Sequence, residues 1–194
     1  DSPEAYLGRG ITNYYLDKID AALEDLNKAV KLRVYNTEVF LYRGLCLAAQ
    51  DDHSAAIRDL SKALQEGSKD ARAYQARAQA YYQREAYDDA QKDLQQLIAI
   101  GQADEETYNF SGELLFLLER FEEAQQAFSR AINQKESFQK AWLNRAAVNY
   151  RLQQWSGVIA DLNKATALGT LPADYYLYRG AALYATKSYG EAVT

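Results

Sequence analysis

Apolar and polar positions alternate along this chain with the period of an α-helix. Within residues 71–104, Tyr74, Ala78 and Tyr81 share one side of a helix, because residues three and four apart lie on the same face. The segment 84–86 then breaks this pattern. A second apolar stripe follows, made of Tyr87, Ala90, Leu94, Leu97 and Ile98. The pattern predicts two amphipathic helices joined by a tight turn, and such a pair cannot bury both stripes alone.

The whole pattern recurs every 34 residues, without insertion or deletion. One small residue recurs in the first helix of each pair: Gly10, Gly44, Ala78, Gly112, Ala146 and Gly180. Another recurs in the second helix: Ala22, Ala56, Ala90, Ala124, Val158 and Ala192. A fixed period of this size is typical of stacked repeats, which bury their apolar faces against their neighbours. We expect one array, an excerpt of a longer chain, with repeats 3–36, 37–70, 71–104, 105–138, 139–172 and a partial 173–194.

Small residues also predict how the helices meet and end. The two small columns are expected to face each other, because small side chains let two backbones approach closely. Gly67, Gly101 and Gly169 follow second helices, at a place where a positive φ favours glycine. We therefore expect these three glycines to end their helices in the left-handed conformation.

The order of residue sizes resembles the tetratricopeptide repeat family over the whole chain. A large aromatic, a small residue and an aromatic or Leu come first, followed by Ala, a large residue and Ala, as in Ala22, Leu26 and Ala29. The resemblance implies an all-α, right-handed superhelical solenoid whose first helices line a concave groove. It also implies a non-enzymatic scaffold or adaptor that binds a peptide or partner protein. One departure is that Val34, Ser68, Gln102, Glu136 and Thr170 replace the family's usual Pro near the repeat end.

Arg and Asp vary together between the repeats. Four repeats have Arg in the first helix and Asp in the second, whereas the fourth repeat has Ser111 and Ala127. A planar guanidinium suits a carboxylate, and the loss of one partner would leave the other uncompensated. We predict ion pairs within four repeats: Arg9 with Asp25, Arg43 with Asp59, Arg77 with Asp93, and Arg145 with Asp161.

By the same resemblance, the remaining face of the first helices lines the groove, and it is rich in aromatic and amide side chains. Aromatic rings supply contact area, and amides can pair with the backbone of a bound peptide. The candidate partner-binding residues are Tyr14, Tyr42, Gln75, Gln79, Tyr82, Asn109, Phe110, Glu113, Lys140, Asn144, Tyr150, Arg151 and Tyr178. The leucines expected beside them are Leu7, Leu41, Leu45, Leu143 and Leu177. Aromatics at the twelfth place of each repeat, such as Tyr14 and Tyr150, either contact the partner or pack against the next repeat.

Composition and charge argue against several classes of function. The net charge of −5 is well mixed along the chain and predicts no nucleic-acid partner. Apolar runs are too short for insertion into a membrane. With one His and one Cys, we expect no catalytic site, metal site or cofactor. The compartment stays open, with the cytoplasm favoured. Two alternatives to a binding groove are self-association through the end of the array and a role as the targeting arm of a larger protein.

Overall fold

The computed structural model describes residues 2–187, which form eleven α-helices and no strand. The helices are α1 (Pro3–Tyr15), α2 (Ile19–Lys31), α3 (Thr37–Ala49), α4 (His53–Gln65), α5 (Ala71–Gln83), α6 (Tyr87–Ala99), α7 (Glu105–Leu117), α8 (Phe121–Gln134), α9 (Gln139–Arg151), α10 (Trp155–Leu168) and α11 (Ala173–Ala185). Odd-numbered helices are the first helices of the repeats, and even-numbered helices are the second. The all-helical prediction is confirmed. Ala192 and the end of the partial sixth repeat lie outside the described residues.

The helices form two compact units, which divide between Ala99 and Ile100. The N-terminal unit contains α1 to α6, and the C-terminal unit contains α7 to α11. Within each unit, neighbouring first helices contact one another. Each second helix contacts its own first helix, and α2, α4, α8 and α10 also contact the next first helix. We call the outer side of the first helices of a unit its first-helix face.

Small residues allow the two helices of a repeat to approach closely. A Cβ atom added at Gly10 would lie 2.8 Å from Cγ of Leu26, and one at Gly44 would lie 2.7 Å from Cγ of Leu60. The column predicted to face these glycines, that of Ala22, lies beside a larger neighbour. The backbone oxygen of Ala22 lies 3.3 Å from the added Cβ at Gly10, and the branched Leu26 side chain fills the space nearest to it.

The turn inside each repeat passes through a residue in the left-handed conformation. These residues recur every 34 positions, with φ between 56° and 60°. They are Asp17, Asp51, Glu85, Glu119, Gln153 and Lys187. None is a glycine, so residue identity gave no sign of this conformation.

Two of the three glycines predicted to end second helices in the left-handed conformation do so. Gly67 and Gly101 have φ values of 94° and 71°, and Arg33 occupies the same place in the first repeat with 67°. The prediction was wrong for Gly169, whose φ of 167° and ψ of −177° are those of extended backbone. Helix α10 has 14 residues instead of the 13 of α4, so the chain leaves it at a different point.

Candidate partner-binding surface

An arginine in the N-terminal unit joins two tyrosines on the first-helix face. Asp70 precedes α5 and accepts hydrogen bonds from the backbone N–H of Arg72, at 2.9 Å, and from its guanidinium, at 2.6 Å. The guanidinium carbon lies 5.4 Å from the ring centre of Tyr42 and 5.9 Å from that of Tyr15. The two phenol oxygens are 2.7 Å apart. Helices α1, α3 and α5 therefore meet at one fixed cluster.

Tyr42 was expected to be open to a partner, but its side chain is buried. Only 9% of Tyr42 is exposed, because the rings of Tyr14 and Tyr15 pack edge-on against it at 5.4 and 5.8 Å. Burial raises the pKa of Tyr42, whereas hydrogen bonds with Tyr42 and Arg72 lower the pKa of Tyr15. Tyr42 thus supports Tyr15, which is 63% exposed and presents its ring to solvent.

Helix α5 presents two amides on the same face. Gln75 and Gln79 are exposed, and neither forms a hydrogen bond with another described residue. They follow Arg72 at helical spacing, so the three side chains share one face of α5. Tyr82, further along the helix, is partly buried, and its ring lies 5.8 Å from that of Tyr87. The exposed polar strip therefore consists of Arg72, Gln75 and Gln79.

Three leucines of the expected strip are buried instead. Leu7, Leu41 and Leu45 belong to the hydrophobic core of the N-terminal unit. Their places lie in the seams between neighbouring first helices, which pack too closely to leave the side chains in solvent. Leu143 is partly buried for the same reason, whereas Leu177 on α11 is exposed.

In the C-terminal unit, the predicted polar residues bind one another. One carboxylate oxygen of Glu113 accepts from the amides of Asn109 and Asn144, at 2.9 and 3.0 Å, and lies 2.8 Å from Nζ of Lys140. The amide of Asn144 also donates to Asn109, at 3.0 Å. Asn109 was expected to be open, but it is only 1% exposed, because this network encloses it. The first-helix face of this unit therefore offers satisfied polar groups.

Several aromatics at the twelfth place pack against neighbouring rings. The ring of Tyr150 lies 5.6 Å from Trp155, and that of Phe116 lies 5.4 Å from Phe121, at the starts of their second helices. Tyr14 also packs against Tyr42, and Tyr150 against Tyr178, in the next repeat. Packing therefore describes these aromatics, whereas Tyr184 in the same column is 70% exposed.

The other aromatic candidates of the C-terminal unit also have neighbours. Tyr178 stacks on Tyr150 with ring centres 4.4 Å apart. The guanidinium carbon of Arg151 lies 5.2 Å from the ring centre of Phe121. Phe110 is partly buried on α7.

All four Arg–Asp pairs have short contacts. The closest nitrogen–oxygen distances are 2.7 Å for Arg9–Asp25, 2.5 Å for Arg43–Asp59, 2.6 Å for Arg77–Asp93 and 2.6 Å for Arg145–Asp161. In each pair both carboxylate oxygens accept from the guanidinium, the geometry that gives arginine pairs their strength. The hydrogen bond from Arg9 lowers the pKa of Asp25.

A sequence model of the tetratricopeptide repeat family matches residues 7–71 and 75–138. The chain belongs to the tetratricopeptide repeat family. Solved structures with the same fold include MamA, with a TM-score of 0.76 and 20% identity over 82% of this chain and 93% of that one. YrrB, described as a TPR protein with an unusual peptide-binding site, has a TM-score of 0.77 and 18% identity over 94% of this chain and 90% of its own. Pseudomonas aeruginosa PilF has a TM-score of 0.71 and 15% identity over 98% of this chain and 87% of its own. No curated protein sequence matches.

Family membership gives this tetratricopeptide repeat chain the fold of a protein–protein interaction scaffold, in a family that is generally non-catalytic. Residues 2–187 contain no group of three His, Cys, Asp or Glu side chains placed to hold a metal ion. Cys46 is buried, which raises the pKa of its thiol to about 11 and keeps it protonated. No helix in the described part combines the length and apolar character needed to cross a bilayer.

The repeat arginines also make a contact that the sequence pattern did not reveal. Arg77 donates to Ser61 and Arg145 donates to Ser129, each at 2.9 Å, and both serines belong to the preceding repeat. Arg43 reaches Asn27 in the same way at 3.3 Å. The available signal was a short polar residue sixteen positions before each arginine. These arginines therefore connect neighbouring tetratricopeptide repeats as well as the helices within one.

Proposed function

We propose that this chain is an adaptor that binds an extended segment of a partner protein on the first-helix face of its N-terminal unit. The observation that carries the proposal is the pair of exposed glutamines on α5, Gln75 and Gln79, whose amides have no partner within residues 2–187. They lie on the same face as Arg72, which contacts Tyr15. The related fold of YrrB, whose published description names a peptide-binding site, supports a ligand of this kind.

The spacing of the two glutamines suits a peptide backbone. Residues four apart on a helix are separated by about 6 Å along its axis. Every second residue of an extended chain recurs after about 6.6 Å. Each carboxamide can both donate and accept, so Gln75 and Gln79 can pair with backbone groups of successive outward-facing peptide residues.

The neighbouring cluster supplies contact area and rigidity. Tyr15 exposes its ring beside the strip, and its hydroxyl is held by Tyr42. Asp70 fixes Arg72 by accepting three hydrogen bonds from its guanidinium and one from its backbone N–H. Side chains that are ordered before binding lose little freedom on association, which favours affinity.

The C-terminal unit suits this role less well. Asn109 and Asn144 already bind each other and Glu113, so a partner would have to replace these bonds before gaining its own. Leaving a buried polar group unsatisfied costs about 1–3 kcal/mol. We therefore assign the peptide contact to α5 and its neighbours in the N-terminal unit.

The test is a selection of displayed random peptides on the 194-residue chain, followed by affinity measurements on variants. Loss of two amide hydrogen bonds, at about 0.5–1.5 kcal/mol each, should weaken selected peptides about tenfold in Gln75→Ala/Gln79→Ala. The matched control is Gln95→Ala/Gln96→Ala, which removes two exposed amides from α6. Circular dichroism of all variants should be unchanged.

Equal affinities in the two double variants would contradict the proposal and move the contact away from α5. Amide exchange with a selected peptide gives a second readout. Protection should increase in α1, α3 and α5, and protection confined to the second helices would also overturn the assignment.

A further inference from the structure

A second surface of the N-terminal unit lies where its second helices end. Five cations occur on the last turns of α2 and α4 and on the loops that follow: Lys28, Lys31, Arg33, Lys62 and Lys69. The hydroxyl of Thr37, at the start of α3, donates to the backbone oxygen of Glu66 at 3.4 Å, which places the two loops side by side. We call these five residues the basic edge.

The charges of the basic edge are not neutralised within the N-terminal unit. None of the five cations forms an ion pair with a carboxylate of the described residues, and the exposed carboxylates nearby in sequence are Glu24, Glu38 and Glu66, fewer than the cations. Most other arginines of this unit form ion pairs with carboxylates, as Arg77 does with Asp93. A local positive excess in a chain with a net charge of −5 leaves a surface that is open to a negative partner.

The C-terminal unit provides an internal comparison. Lys135 stands at the same repeat position as Arg33, and Arg130 and Lys164 stand at that of Lys62. Lys135 binds Glu105 at 2.8 Å, and Lys164 binds Glu136 at 3.2 Å. Arg130, also at the position of Lys62, forms no ion pair with a described carboxylate. The fold therefore accepts paired cations at these places, and the N-terminal unit keeps its cations at them unpaired.

Aromatic rings hold two of the free ammonium groups in place. The Lys62 nitrogen lies 4.0 Å from the ring centre of Phe40 and 5.3 Å from that of Tyr35, and the Lys28 nitrogen lies 4.7 Å from that of Tyr6. A cation over a ring is ordered but keeps its charge. These lysines are therefore available to a carboxylate with a reduced loss of side-chain freedom.

Two apolar side chains lie among the cations. Leu32 and Tyr35 flank Arg33 and are 44% and 58% exposed. Arg33 itself has a φ of 67°, where the next two repeats have Gly67 and Gly101. A side chain with a Cβ is unfavourable in this conformation, so the array keeps arginine where glycine would fit the backbone better.

We propose that the basic edge docks an acidic segment of a partner protein, whose carboxylates meet the five cations and whose apolar side chain packs on Leu32 and Tyr35. A lipid surface fits less well, because two apolar side chains are far fewer than the continuous apolar face of helices that bind membranes. This docking is separate from peptide binding on α5, and it would speed association of the partner by electrostatic attraction.

The test uses a fluorescently labelled synthetic peptide of Asp and Glu with a central Leu-Phe pair, followed by anisotropy with the 194-residue chain. Arg33→Glu/Lys62→Glu should weaken binding by about tenfold or more. The control Lys18→Glu/Arg84→Glu makes the same change in net charge at exposed cations in the turns inside the repeats, and it should change affinity less than about twofold. Leu32→Ser/Tyr35→Ser should weaken binding without changing its dependence on salt.

A further variant separates loss of binding from loss of folding. Arg33→Gly removes a charge of the basic edge and also relieves the unfavourable positive φ at this position. This variant should bind the acidic peptide more weakly yet unfold at a higher temperature. Gln75→Ala/Gln79→Ala should bind it normally, which separates this proposal from the one for α5.

Three outcomes would overturn the proposal. Equal losses in the edge and control variants would show only a general charge effect. Sedimentation of the chain with phosphatidylserine vesicles, without binding of the peptide, would make a membrane the occupant. Light scattering that reveals dimers, abolished by Arg33→Glu/Lys62→Glu, would make a second copy of the chain the occupant.

Discussion

Two glycines on α1 have opposite surroundings. Gly8 is exposed, and a Cβ built on it meets no atom within 4 Å. Gly10 is buried, and a Cβ there would lie 2.8 Å from Leu26. The 34-residue pattern correctly marks Gly10 as a place for a small residue, because that column is small in every repeat. It does not explain Gly8, whose equivalents in other repeats include Tyr42 and Tyr178.

Alanine substitution should therefore have opposite effects at these two glycines. Gly8→Ala should raise the free energy of unfolding by about 0.5–1 kcal/mol, because alanine loses less backbone freedom in a helix. Gly10→Ala should lower it by about 1–3 kcal/mol, because Leu26 must move. Urea unfolding followed by circular dichroism measures both. Changes of the same sign would contradict the packing described between α1 and α2.

Among the elements, helix pairs are joined by arginines that contact two repeats. The sequence predicted the contact with Asp in the same repeat, because both residues disappear together from the fourth repeat. It did not predict the contact of Arg77 with Ser61, because serine and asparagine replace one another at that place and give no pattern of charge. The burial of Asn109 was missed for a related reason. Helical periodicity gives the face of a residue, whereas its exposure depends on how closely the next first helix approaches.

The effects of removing Arg77 and Asp93 on the free energy of unfolding should not add up. Asp93 is buried, so Arg77→Ala leaves a carboxylate without its partner and should lower the free energy of unfolding by about 3–5 kcal/mol. Adding Asp93→Ala removes that charge, so the double variant should lose less than the sum of the two single losses by more than about 1 kcal/mol. The measurement is denaturant unfolding of the unmodified chain, the two single variants and the double variant, which together form a double-mutant cycle. Additive losses would mean that the pair contributes no coupling.

For the molecule as a whole, stability is expected to follow the number of neighbours that each helix has. In the 194-residue chain, α1 contacts α2 and α3, whereas α3 contacts α1, α2, α4 and α5. The repeat pattern alone predicted the helices and their order, since the period is constant. The division between Ala99 and Ile100 was not visible in it, because every repeat has the same length.

Hydrogen exchange measures this difference directly. In stacked repeats, stability is a sum of local terms and contacts with adjacent repeats, so helices with fewer neighbours open more often. Amides in α1 should therefore exchange faster than amides at the same places in α3. Equal protection in α1 and α3 would indicate that the N-terminal unit opens only as one cooperative block.

The left-handed residue at the centre of each helical hairpin has a practical consequence. Asp, Glu, Gln and Lys all adopt this conformation at the same place, so the meeting of the two helices imposes it and the local sequence does not. Every hairpin is therefore formed against the preference of its middle residue. Glycine at these six sites, none of which is among the side chains assigned to a partner, is a route to a more heat-resistant protein.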